Sequence, residues 1–162
     1  MDAQTRQARR AADAGNTDAM HYLADLLEKR GKRREAEQWY RRAADADNIG
    51  AMCNLGALLE QRRKRDEAEQ WYRRAADAGN TNGMHNLGFL LEQRGESEEA
   101  EQWYRRAADA GHAGAMSDLG VLLAERGEIQ QAEPLFRRAA DAGDADAKHN
   151  FRILLKRRRV NK

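Results

Sequence analysis

The chain has 162 residues, with 29 Lys and Arg against 27 Asp and Glu, a formal net charge of +2 and a mean hydropathy of −0.98. Near-balanced charge gives no bulk attraction to nucleic acid or to a membrane surface, and a single cysteine excludes an intramolecular disulfide framework. No stretch approaches the roughly 18 apolar residues of a membrane span, and the opening MDAQTRQARR has no apolar signal core, so the expected location is cytoplasmic.

A repeat organises what remains. AEQWYRRAADA is identical at 36–46, 68–78 and 100–110, with weaker copies from Gln4 and Ala132, all in a register of 32 residues. A second block keeps that period, reading YLADLLEKRG from Tyr22, NLGALLEQRR from Asn54, NLGFLLEQRG from Asn86, DLGVLLAERG from Asp118 and NFRILLKRRR from Asn150. A period between 20 and 50 residues signals stacked units that each contact only their neighbours and jointly offer an extended surface. The expected domain is a single repeat array over 1–162.

In chain order, residues 2–14 read as a lone helix of the second type, with Gln7 and Ala8 in the slots of Trp39 and Tyr40; it is either an N-terminal cap or half of a divided repeat. Four helical hairpins are expected at about 17–46, 49–78, 81–110 and 113–142. In the second, Met52, Leu55, Gly56 and Leu59 fall at i, i+3, i+4 and i+7, and Ala68, Trp71, Tyr72, Ala75 and Ala76 continue the pattern in the paired helix. Gly31, Gly95 and Gly127 supply the left-handed residue within the hairpin turns, while Arg63 takes that slot once and should leave its turn strained. Between hairpins Asn16, Asn48, Asn80 and Asp144 are the expected N-caps, with His112 a poorer one.

Gly56, Gly88 and Gly120 lie inside helical patterns, where glycine costs about 1 kcal/mol relative to alanine. Their recurrence predicts close approach of the paired helix. Pro134 should delay or kink its helix. Residues 145–158 read as a polar capping helix, with Lys148 and Arg152 in the methionine and glycine slots and a basic tail at 156–162.

The run LGxLLExRG, then AExWYRRAADAG, then AM resembles the SEL-like repeat family and, more distantly, the tetratricopeptide family. Shared with the latter are the Leu-Gly pair, the alanine twelve residues on (Ala68, Ala100) and the aromatic four further (Tyr72, Tyr104). The period is shorter than either family's usual one, and no tetratricopeptide proline follows the second helix. The resemblance implies an all-α, right-handed α-solenoid of about ten antiparallel helices, whose concave face, lined by first helices, takes up a peptide or partner protein. It implies no catalysis and no cofactor.

The slots of the first helices that escape the repeat are the candidates for that face: Asp25, Asn54, Ala57, Asn86, Phe89, Val121, Asn150 and Ile153. Beside them stand His21, Glu28, Cys53, Glu60, His85, Glu92, Ser117, Asp118 and His149. The first end of the groove should be acidic. The far end should be apolar, with Phe89, Val121 and Ile153 in one row and Lys156 on the rim. Asn54, Asn86 and Asn150 could hydrogen-bond an extended backbone. Each of these side chains could equally pack on its neighbours.

His21, Cys53, His85 and His149 share one slot, but equivalent slots lie roughly 10 Å apart on successive helices, too far for one metal with bonds of about 2.0–2.3 Å. No metal site is expected, and the same spacing denies Cys53 a histidine partner for nucleophilic chemistry. Two alternatives stay open. Lys29, Lys32, Arg33 and Arg34, Arg62, Arg63, Lys64 and Arg65, and the tail residues Lys156, Arg157, Arg158, Arg159 and Lys162 could grip phosphates, although Glu96, Glu98, Glu99 and Glu128 occupy the later turns and nucleic acid is disfavoured. Open repeat faces could also join the molecule end to end, the default being a monomer.

Overall fold

The computed structural model describes the backbone of residues 2–160 and the side chains of residues 2–153. Among the described residues all regular structure is helical: α1 (Ala3–Asp13), α2 (Thr17–Lys29), α3 (Arg33–Asp45), α4 (Ile49–Gln61), α5 (Arg65–Asp77), α6 (Thr81–Gln93), α7 (Ser97–Asp109), α8 (Ala113–Glu125), α9 (Ile129–Asp141) and α10 (Ala145–Val160). This is a repeat-helical, solenoid-type fold. It forms two compact units, Met1–Gly83 and Met84–Lys162, with the boundary inside α6.

Sequence chemistry sets the helix ends. Asn16, Asn48, Asn80 and Asp144 each accept the amide of the residue three positions on, at 2.7–2.9 Å. His112 does the same through Nδ1, which accepts the Ala115 N–H at 3.0 Å, so the slot expected to cap poorly is capped. An imidazole nitrogen with a free lone pair can replace a side-chain carbonyl oxygen here.

The connecting turns need a positive φ, and glycine supplies it at most of them; Asp47 (φ 61°) and Arg63 (φ 60°) are the exceptions. Arg63 therefore carries the expected strain. Pro134 does not delay its helix: α9 starts at Ile129, in register with α3, α5 and α7. The amide it lacks would have bonded the carbonyl of Gln130, and Gln130 is exposed, so water can satisfy that oxygen.

In the first unit Leu23, Leu27, Leu55, Leu58 and Leu59 of α2 and α4 are wholly buried with Tyr40 and Tyr72. In the second, Leu87, Leu90 and Leu91 do the same with Tyr104 and Phe136. Each such aliphatic side chain contributes about 1.5–3 kcal/mol, against a few tenths for a surface pair such as Arg73 with Glu69. The internal glycines explain how the rings fit. A Cβ on Gly56 would stand 2.6 Å from the Tyr72 ring, on Gly88 2.8 Å from Tyr104, and on Gly120 2.8 Å from Phe136. Arg42, Arg74 and Arg106 lie over Trp39, Trp71 and Trp103 at 4.1, 4.6 and 4.3 Å from the ring centroids, shielding the indoles from water.

Candidate binding surface

In the first unit α2 and α4 present a polar cluster. The amide of Asn54 approaches His21 Nε2 at 2.9 Å and donates to Asp25 Oδ1 at 3.1 Å. The Tyr40 hydroxyl lies between Asp25 and Glu28, 2.8 Å from the latter, and its single proton serves one carboxylate at a time. Burial, then the two carboxylates, pushes the Tyr40 phenol far above its ordinary range, so it stays protonated while folded. A depression of about 370 Å³ opens here, lined by Asp25, Glu28, Lys29, Tyr40, Asn54 and Ala57. Asp25, Asn54 and Ala57 are thus brought together, around a tyrosine that the repeat pattern had assigned to packing alone.

The second unit carries different chemistry on the same frame. Phe89 on α6 is 44% exposed and Ile153 on α10 is 38% exposed, while Val121 on α8 is half-buried. Asn86 and Asn150 are half-buried. His85 donates from Nε2 to Asp118 Oδ2 at 2.7 Å, linking α6 to α8. The Tyr104 hydroxyl donates to Glu92 at 2.8 Å, and burial followed by that carboxylate raises its ionisation well beyond the ordinary range.

Some candidate slots are not surface at all. Cys53 and Ser117 are buried, which takes them out of the surface open to a ligand. Glu60 and Glu92 are spent on Tyr72 and Tyr104, as Glu28 is on Tyr40. The sequence carries a signal for this pairing. Glu28, Glu60 and Glu92 each precede a tyrosine by twelve residues, and where Ala124 replaces the glutamate, Phe136 replaces the tyrosine.

Several turn cations face carboxylates: Lys32 meets Glu35 at 2.9 Å, Lys64 meets Glu67 at 3.0 Å, and Arg62 pairs with Glu37. Such local pairing weakens a phosphate-gripping edge. The side chains of Lys156, Arg157, Arg158 and Arg159, and all of Lys162, lie outside the described residues. Among the described residues no group of three or more His, Cys, Asp or Glu could hold a metal ion, and no helix is long and apolar enough to cross a membrane.

Helical hairpins with a glycine seating the partner's aromatic ring define a repeat type, and the tetratricopeptide repeat family matches at residues 17–46, 49–78, 82–110 and 112–142. The chain belongs to the tetratricopeptide repeat family. Among curated protein sequences none matches it significantly. Among solved structures, this tetratricopeptide repeat protein is similar to a protective antigen of uropathogenic Escherichia coli strains that displays an SLR fold, with 27% identity, a TM-score of 0.83, and coverage of 91% of this chain and 35% of that one. It is also similar to a Sel1 repeat protein from Oxalobacter formigenes, with 26% identity, a TM-score of 0.79, and coverage of 91% and 65%. The chain therefore spans about a third of the length of the first and just under two thirds of the second. YrrB, described as a TPR protein with an unusual peptide-binding site, matches at 22% identity and a TM-score of 0.68, over 94% of this chain and 84% of that one, which shows the fold alone. The SEL-like character of the repeats agrees with the first two.

Proposed function

We propose that the chain is a protein–protein interaction scaffold, holding a peptide or a segment of a partner protein on the first-helix surface of its repeats. It is assigned no catalytic step. The observation that carries the reading is Phe89, a large aromatic left 44% exposed on a helix whose packing residues Leu87, Leu90 and Leu91 are fully buried. An aromatic held out by a rigid helix costs little entropy to dock and is a common binding anchor. Val121 and Ile153 extend the apolar chemistry within the second unit. In the first unit Asp25, Asn54 and Ala57 line the depression; Asn54 already spends its amide hydrogens on His21 and Asp25, which leaves its carbonyl to accept a backbone N–H. Asn86 and Asn150, half-buried at the equivalent slots, are the matching candidates in the second unit. YrrB, a peptide-binding protein of this fold, is the structural precedent.

The test is capture of partner protein from the source cell lysate by the wild-type chain and by Phe89→Asp. Wild-type capture with loss in the variant, at unchanged helical circular dichroism, supports the reading; equal capture by both overturns the assignment of Phe89.

A further inference from the structure

One helix N-terminus in the second unit is built unlike its counterparts. α8 is capped by an imidazole whose Nδ1 accepts the Ala115 N–H at 3.0 Å, whereas α2, α4 and α6 are capped by asparagine. That bond requires a lone pair on Nδ1, so it exists only in the neutral ring with its proton on Nε2. Protonation at Nδ1 sets two donors face to face. It also places a cation at the positive end of the α8 dipole.

The surroundings decide how readily this happens. The His85 ring of α6 lies with its centroid 4.5 Å from that of His112, tilted by 31°, and His85 is held by Asp118 of α8 at 2.7 Å. Two imidazolium rings at this distance repel each other. Asp118, together with Asp144 in the turn before α10, acts in the opposite sense, and Tyr104 of α7, whose ring is 5.9 Å from His85, is neutral.

We infer that His112 is a pH-releasable cap, through which mild acidification unfastens the first turn of α8 while the asparagine-capped helices stay closed. Burial, then the neighbouring His85, lowers the His112 pKa. The sign follows. A histidine held below its unfolded pKa contributes stability that is complete above about pH 6.5 and is lost as pH falls through the folded value. No other cap among the asparagine-capped helices contains a group that titrates there. The consequence is local: the turn that is released lies just ahead of Asp118 and Val121 on α8.

The experiment is amide hydrogen exchange by NMR on the full chain at about pH 7.5 and about pH 5, corrected for intrinsic exchange, with Ala51, bonded to Asn48 at 2.9 Å, as the internal reference. The Ala115 amide should lose about fivefold in protection relative to Ala51 on acidification. His112→Asn should abolish that loss without lowering stability at neutral pH, and His85→Gln should move the release to higher pH by removing the charge that opposes protonation of His112. A constant Ala115 to Ala51 ratio in the wild type overturns the inference. So does an unchanged acid response in His112→Asn, since the titration would then belong to His85 and Asp118.

Discussion

The first and second units share one frame and differ in what they hang on it. In the first, the slots at Asp25, Asn54 and Ala57 surround a depression walled by Tyr40, Glu28 and Lys29. In the second, the slots equivalent to Asp25 hold Phe89, Val121 and Ile153, and one of the slots equivalent to Asn54 holds Asp118 bonded to His85, while Asn86 and Asn150 keep the asparagine. The difference teaches that a repeat can change surface chemistry freely where side chains leave the helix away from its neighbours. It cannot do so where a ring fills the space above a glycine.

The largest expected effect breaks what the units share. Gly56→Val and Gly88→Val place a branched side chain into the Tyr72 and Tyr104 rings, with Cβ positions 2.6 and 2.8 Å from ring carbons. Each should cost about 3 kcal/mol in urea denaturation, alike in both units. A loss below about 1 kcal/mol at either site would mean that the ring can swing aside.

Next comes the tyrosine–glutamate pairing, which the fourth hairpin abandons. Phe136→Tyr introduces a hydroxyl at a buried ring, with Ala124 in the slot where the other hairpins carry the glutamate, and should cost about 1–2 kcal/mol. Adding Ala124→Glu should recover about 1 kcal/mol of that, a coupling measured by a double-mutant cycle. Alkaline stability probes the intact pairs. Tyr40 and Tyr104 stay protonated when folded, so their contribution is complete below the unfolded phenol value of about 10 and is lost as pH rises beyond it. Tyr104→Phe should flatten the decline seen in denaturation between about pH 9 and about pH 11.

A smaller effect, of opposite sign, sharpens the contrast between turns. Arg63 holds φ 60° where the corresponding turns use Gly31, Gly95 and Gly127. Arg63→Gly should stabilise by about 1 kcal/mol in thermal or chemical melts, the relief of strain exceeding the added chain entropy. Asp47→Gly should give less, because aspartate tolerates the left-handed region and this one also meets Arg74 at 3.2 Å.

The amino-acid sequence by itself determined the all-α repeat, its 32-residue register, the asparagine and aspartate caps, and the need for glycine at 56, 88 and 120. These follow from short-range rules: periodicity, capping chemistry and positive φ depend on a few neighbouring residues, and repetition states each of them several times. What only the tertiary structure decided are matters of which atoms meet across helices. It turned Cys53 and Ser117 inward, joined Tyr40 to two carboxylates, and brought His85 to within ring contact of His112, 27 positions along the chain. It also let Pro134 sit inside α9, since the exposure of Gln130, four residues earlier, is not legible from the local sequence. A repeat makes its frame redundant and therefore readable, whereas a contact made once, between side chains from different units of the repeat, leaves no periodic trace until the helices are stacked.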